Sequence, residues 1–212
     1  MKTCVIFCAG GFDRLAEPIG QDDLVIAADG GLRHTQALGL EPDVILGDFD
    51  SLGYVPADGQ VFPVEKDDTD SMLAVRLGLE RGCDRFVLYG ALDGPRPDHT
   101  LANMQTLCFL AERGASGHLA GLTHRVSVVR DGALTFPAEA AGTVSVFCLG
   151  SDAHGVTLEG LYYPLRNGTL TAGHPLGVSN HFTGKPATVA VAKGTLVVFY
   201  DATVPLPTLL NE

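Results

Sequence analysis

Tryptophan is absent from the 212 residues and charge is scarce: charged side chains make up 18% of the chain, 14 basic against 25 acidic, for a net charge of −11. So acidic a chain is not a general nucleic-acid binder, which needs a basic face to neutralise phosphates. A nucleotide substrate is not excluded, because carboxylates and phosphate oxygens are both hard ligands that a divalent cation bridges. No stretch approaches ~20 consecutive apolar residues, so no membrane-spanning helix is expected. The five cysteines are odd in number and form no C-x-x-C pair, which argues against a disulfide framework or a zinc site. Cys4, Cys8, Cys108 and Cys148 lie in apolar runs, as buried free thiols do, and point to a reducing compartment, the cytoplasm. The apolar run at 3–8 is short and leads into Gly10-Gly11 rather than a cleavage-site pattern, so it reads as a first strand and not a signal peptide.

What is present is a globular composition, 46% hydrophobic, in a chain long enough to bury a real core. The first half alternates strand-like and helix-like segments. Apolar runs at 3–8, 24–28, 44–46, 61–64 and 86–91 are interleaved with helical patterns at 32–40, from Thr69 or Asp70 to Gly82, and from Asp98 to about Arg113. Continuous apolar strands between helices predict a Rossmann-like parallel sheet with helices on both faces. After residue 123 the helical patterns stop. Short strand patterns at 125–129, 133–136, 143–149, 155–159, 168–172, 187–192 and 195–200 are separated by Asp131-Gly132, Asn167-Gly168 and Lys193-Gly194, which read as turns. This predicts a C-terminal β-sandwich. The expected domains are 1–120 and 121–212, with the boundary inside 114–124.

In parallel sheets ligands bind beyond the carboxyl ends of the strands, and the acids collect there. Gly47-Asp48-Phe49-Asp50-Ser51 follows a strand directly. Two carboxylates one residue apart suit Mg²⁺, which completes its octahedron with water and substrate phosphates; an acidic turn is the plain alternative. Lys66-Asp67-Asp68-Thr69-Asp70 sits at a strand-to-helix junction. Lys66 can meet a phosphate, Asp67 and Asp70 can add metal ligands, and helix capping explains one of the group. The loop from Gly90 to His99 offers the planar fork of Arg96, with Asp98 near a helix start and His99 and Asn103 one turn apart. Asp29-Gly30-Gly31 ends the second strand, where glycine allows close approach of a ligand, or merely a tight turn. Gly177-Val178-Ser179-Asn180-His181-Phe182 places hydrogen-bonding groups and an aromatic ring in the β half.

The stretches 27–31, 40–52, 65–75, 90–103 and 160–198 together resemble the thiamine pyrophosphokinase family, in the family's order and over most of the chain. The resemblance implies an enzyme converting ATP and thiamine to AMP and thiamine diphosphate with Mg²⁺. It implies a homodimer whose active sites draw on both domains across the subunit interface. It implies Asp48, Asp50, Asp70 and Asp98 as catalytic residues, with Asp48, Asp50, Asp67 and Asp70 toward the metal. It puts Asp29, Gly30, Ser51, Lys66, Thr69, Arg96, His99 and Asn103 toward ATP, and Ser179, Asn180 and Phe182 toward thiamine. Asp70 or Asp98 is expected to position the hydroxyl or accept its proton. Two departures stand out. The run Ala91–Pro95 replaces a more glycine-rich loop, and the missing tryptophan leaves Phe182, His181 or a tyrosine to stack on thiamine. A D-x-D nucleotide-sugar transferase and a non-catalytic ligand sensor are the rival classes.

Overall fold

The structure, a computed structural model, describes residues 2–62 and 67–211. It divides into two compact units, residues 1–122 and 123–212.

Among the described residues the first unit is built on six parallel strands: β1 (Thr3–Phe7), β2 (Leu24–Ala28), β3 (Val44–Gly47), β4 (Gly59–Val61), β5 (Arg85–Tyr89) and β6 (Ser116–Ala120). Their order across the sheet is β6-β5-β1-β2-β3-β4. Successive side chains of a strand point to opposite faces. Val5, Phe7, Val25, Val87, Tyr89 and Ala120 form one buried face, and Cys4, Ile6, Phe86, Leu88 and Leu119 are buried on the other. Each Leu, Ile, Val or Phe so buried contributes about 1.5–3 kcal/mol relative to exposure, which is why these runs are continuously apolar. Among the described residues three α-helices follow strands: α1 (Leu32–Ala37), α2 (Asp70–Glu80) and α3 (Pro97–Ala111). Helix α2 packs against β1 to β3, and α3 against β6. The β1–β2 connection contains no helix; Phe12, Leu15, Ala16 and Ile19 of that loop pack on the first face instead.

Local chemistry fixes the helix ends. Thr69 accepts a hydrogen bond from the Met72 N–H at 3.2 Å and caps α2, leaving Asp70 in the first turn, where a carboxylate suits the helix dipole. Helix α3 starts with Pro97, whose missing N–H costs nothing at a first helical position. Asp98, expected as its cap, lies inside the first turn and spends its carboxylate on Arg96.

The second unit is β-rich. Its strands are β7 (His124–Phe136), β8 (Thr143–Cys148), β9 (Ala153–Glu159), β10 (Leu165–Leu170), β11 (Asn180–His181), β12 (Ala187–Asp201) and β13 (Thr208–Asn211), all paired antiparallel. The glycine dipeptides do not reverse the chain. Asp131-Gly132 and Lys193-Gly194 lie inside the long strands β7 and β12, opposite one another, where the register slips between Val191 and Thr195. Asp131 (φ 46°) and Gly194 (φ 118°) take left-handed backbone there. The Asp131 carboxylate accepts the Gly194 N–H at 2.8 Å, so the strands bend without separating, as at a β-bulge. At this bend β12 changes partner from β9 to β8. Asn167-Gly168 is likewise an irregularity inside β10. The core of this unit includes Val129, Phe136, Val144, Val156, Val189, Leu196, Val198 and Tyr200.

Candidate active site

Strands β2 and β3 run side by side with Ala28 opposite Leu46, so Asp29 and Gly47-Asp48 emerge together at their carboxyl ends. Two conditions bring them close. Gly31 passes the end of β1 so tightly that a Cβ there would sit 1.8 Å from the Phe7 carbonyl oxygen. Gly47 takes φ 146°, and a Cβ on it would press on Asp29 at 3.1 Å. The space beside Gly30 is taken by Ala9, whose Cβ would lie 2.9 Å from an added one. Asp29 (φ 47°) and Phe49 (φ 62°) are held left-handed, a conformation costing on the order of 1–3 kcal/mol that surrounding structure must enforce. The Phe49 ring, buried with Ala27, Leu32 and Leu52, provides that hold for the loop carrying Asp48 and Asp50.

Carboxylate oxygens of Asp29, Asp48 and Asp50 lie within 4.8 Å of one another. Two such charges repel by roughly 3 kcal/mol at an effective dielectric near 20, before screening. Asp29 is buried, 7% exposed, and its Oδ1 has no hydrogen-bond partner among the described residues. The Asp48 Oδ1 accepts the Asp50 N–H at 3.2 Å, and the Ser51 hydroxyl donates to Asp50 at 3.2 Å. Arg33 Nη2 donates to the Ser51 carbonyl at 2.7 Å and ties α1 to this loop. Sequence reasoning passed over Arg33; the available signal was a cation in the first turn of a helix beginning among acids.

Lys66 lies outside the described residues. Asp67 is exposed, and neither Asp67 nor Asp70 belongs to the three-carboxylate group. Asp68 pairs with Arg76 at 2.7 Å. Burial pushes the Cys8 thiol, just past the end of β1, up to about 12, and the Asp70 charge adds to that rise. Asn103, expected on ATP, is buried, and both ends of its amide are engaged by the protein. Its Oδ1 accepts the Ser71 hydroxyl at 2.6 Å, Nδ2 donates to the Ala91 carbonyl at 2.8 Å, and Ser71 meets Thr69 at 3.0 Å. The amide therefore links the start of α2 to the loop after β5. Ser71 was also missed, though its place two residues after a capping threonine marks it as an inward hydroxyl.

Arg96 and Asp98 form an exposed forked pair, Nη2 to Oδ2 at 2.6 Å and Nε to Oδ1 at 3.0 Å. Hydrogen bonding to Arg96 holds the Asp98 carboxyl down at about 2. Arg96 is raised in turn, first by that hydrogen bond, with a smaller contribution from Asp50. The Arg96 guanidinium thus feels the charge of Asp50. His99 is exposed, its N–H bonded to the Arg96 carbonyl at 3.1 Å.

In the β unit, Ser179 is exposed with φ 59°, and its N–H donates to the Ser145 hydroxyl at 3.0 Å. Asn180 is buried. Its Oδ1 accepts the Tyr163 and His181 N–H groups, both at 2.9 Å, and its Nδ2 donates to the Tyr163 carbonyl at 2.7 Å. Phe182 packs on the core, 5.1 Å from the ring of Phe136. The open aromatic rings near this segment are Tyr162 and Tyr163, 66% and 60% exposed and edge to face at 4.8 Å. A cavity of about 130 Å³ borders Gly177, lined also by Phe147, Cys148, Leu170 and His174.

Residues 15–116 match the family described as thiamin pyrophosphokinase, catalytic domain, and residues 123–196 match thiamin pyrophosphokinase, vitamin B1 binding domain. Over 211 residues the chain is 30% identical to the thiamine pyrophosphokinase of Bacillus subtilis strain 168, covering 93% of this chain and 98% of the relative. The crystal structure of a thiamine pyrophosphokinase from Bacillus subtilis superposes with a TM-score of 0.79 at 25% identity, covering 95% of this chain and 99% of that one. A thiamin pyrophosphokinase structure from Geobacillus thermodenitrificans gives 0.75 at 27% identity, covering 95% and 97%.

Proposed function

The chain belongs to the thiamine pyrophosphokinase family, and on that premise we propose that it transfers the diphosphate of ATP to the hydroxyl of thiamine, releasing AMP. The observation that carries this reading is the convergence of Asp29, Asp48 and Asp50 at the carboxyl ends of β2 and β3. A D-x-D transferase with another acceptor is disfavoured, since it gives no account of the match to the vitamin B1 binding domain.

The N-terminal unit is assigned to ATP, as a Rossmann-like domain with helices on both faces, and the C-terminal unit to thiamine, as a β-sandwich. The three clustered carboxylates are the donor set a hard divalent cation requires: all oxygen, mutually repelling, one of them buried with an unpartnered oxygen. They fit Mg²⁺, held by Asp48 and Asp50, with Asp67 and Asp70 as the further candidates the resemblance supplies. When bound, Mg²⁺ neutralises phosphate charge and favours an in-line displacement at the β-phosphorus.

The protein's own groups do the remaining work. Arg96, its fork pre-aimed by Asp98, takes negative charge that builds on the bridging oxygen as AMP leaves. Lys66 is a second candidate for that charge. Asp98 is a weak proton acceptor, because its carboxyl is already committed to a guanidinium; Asp70 is the better candidate to orient the thiamine hydroxyl and take its proton. Thr69 and Asn103 hold the two loops. In the β unit the exposed Ser179 hydroxyl is free to meet the heterocycle, and Tyr162 or Tyr163 supplies the aromatic face that tryptophan gives in some relatives. Asn180 acts by holding Tyr163. A homodimer and a cytoplasmic location belong to the same proposal; the free cysteines are in keeping with a reducing compartment, and among the described residues no helix is long and apolar enough to cross a membrane.

The test is incubation with Mg-ATP and thiamine, reading products by mass. AMP and thiamine diphosphate in equal amounts support the proposal. Nucleoside diphosphate release with a sugar acceptor, and none with thiamine, supports the rival.

A further inference from the structure

Arg96 is an exposed side chain on an irregular loop, so something must hold that loop still. The chain leaves β5 at Gly90, and the next residues are fastened in turn. The Gly90 carbonyl accepts the Gly10 N–H at 2.8 Å, the Ala91 carbonyl accepts the Asn103 amide at 2.8 Å, and the Leu92 carbonyl accepts the Thr100 hydroxyl at 3.0 Å. Asp93 is fastened twice. Its carbonyl accepts the Gly11 N–H, just past β1, and its Oδ2 accepts the Leu122 N–H, just past β6, at 2.6 Å. Strands β1 and β6 are the two neighbours of β5, with Phe7 and Ala120 both paired to Tyr89. The loop is therefore tied down on both flanks at Asp93. The approach is close: a Cβ on Gly10 would lie 2.5 Å from the Asp93 carbonyl oxygen, and one on Gly11 would lie 3.2 Å from the Asp93 Cβ.

From Asp93 to Arg96 the chain has little freedom. Pro95 has its φ locked by its ring, and Pro97 restricts the backbone of Arg96 before it. Gly94 is the loose joint, with no side chain to limit it. Asp93 thus stands at the base of a short, stiff arm that ends in the guanidinium. A single main-chain bond to Gly11 lets that base pivot, and the carboxylate bond to Leu122 stops the pivot. A charged acceptor makes this the stronger kind of hydrogen bond.

We infer that Asp93 is a positioning residue for the transfer: its carboxylate, bound to the Leu122 N–H, sets where the Arg96 guanidinium meets the departing phosphate. The inference rests on the role of Arg96 proposed above, and it asks Asp93 to touch no reacting atom.

The test compares Asp93→Ala, Asp93→Asn and Arg96→Ala, singly and combined, in the full chain with Mg-ATP and thiamine. Asp93→Ala should lower kcat about 10-fold, since small misplacements of a charge-stabilising group are costly, with KM for ATP and for thiamine within ~2-fold. Asp93→Asn keeps an acceptor oxygen and should restore kcat to within ~3-fold of the parent chain. In the Arg96→Ala background, adding Asp93→Ala should change kcat by less than ~2-fold, because a residue acting through Arg96 has nothing left to act on. A 10-fold loss in both backgrounds overturns the inference, as does full kcat in Asp93→Ala, or an Asn variant no better than Ala. A second measurement needs no turnover. Amide hydrogen exchange at residues 94–99 and at Leu122 should speed up about 10-fold in Asp93→Ala, with the body of α3 unchanged; unchanged exchange at 94–99 overturns the inference. If the parent chain makes no thiamine diphosphate, the proposed reaction falls, and exchange at 94–99 still decides whether Asp93 holds the Arg96 loop.

Discussion

The two units of the chain use glycine and aspartate for different purposes. In the α/β unit, Asp-Gly-Gly and Gly-Asp-x-Asp stand at the carboxyl ends of parallel strands, and the glycines allow backbone to crowd until carboxylates meet. In the β unit, Asp131-Gly132 and Lys193-Gly194 look like the same punctuation and even like hairpin turns, yet they form a facing pair of bends inside two long strands. The dipeptide reports a left-handed backbone need in both cases. Whether that need serves a turn, a bulge or a site depends on what runs alongside.

The sharpest way to break this contrast is at the acids. Asp48→Asn and Asp50→Asn should each lower kcat/KM by about 10³-fold or more, a loss typical of removing preorganised charge stabilisation, with melting temperature unchanged or raised. Asp131→Asn, the acid of the β unit's bend, should leave kcat/KM within ~2-fold. Steady-state AMP release with a thermal melt beside it checks both, and equal effects at the two kinds of aspartate would erase the distinction drawn between them.

Buried amides come next. Asn103→Ala removes partners from Ser71 and the Ala91 carbonyl, and Asn180→Ala removes them from the Tyr163 backbone and the His181 N–H. Each should cost about 1–3 kcal/mol in denaturant unfolding, the cost of leaving buried polar groups unsatisfied. Ser179→Ala should stay within ~0.5 kcal/mol and instead raise KM for thiamine, with KM for ATP unchanged. If Asn180→Ala left stability intact and raised only the thiamine KM, its assignment as a clamp would be wrong.

The smallest effect concerns pH. Asp98 is held low, so whatever stability its pair with Arg96 contributes is present above the ordinary carboxylate value of 3.8 and is lost as pH falls through about 2. Nothing in this pair titrates between pH 5 and 9, and a pH–rate inflection in that window should persist in Asp98→Asn. Cys8, raised to about 12 by burial, should resist a thiol reagent at pH 8 in the folded chain.

Much of the α/β unit was legible because its signals are local. Thr69 before an apolar helix, apolar runs too continuous for a half-exposed sheet, and acids directly after them each carry their meaning within a few residues. The strand Ser116–Ala120 escaped, because its Ser-Gly-His start looks like linker and its burial comes from α3 and β5. The short strand Thr208–Asn211 escaped because only pairing with β7 makes it one. At the site, residue types were readable but their division of labour was not. Asn103 and Asn180 read as ligand contacts by type, and Phe182 as a stacking ring, yet the structure directs all three inward. That assignment depends on partners 12 to 46 positions away, such as Ala91, Ser71, Tyr163 and Phe136, which no local pattern encodes.

The central claim is that side chains from separate strand ends of the α/β unit form one seat for a triphosphate. The most direct test is a crystal of the chain with Mg²⁺ and a non-hydrolysable ATP analogue. The phosphates should lie over the carboxyl ends of β2, β3 and β5, between the Asp29–Asp48–Asp50 group and Arg96. Phosphates found at the opposite ends of those strands, or bound in the β unit, would contradict it.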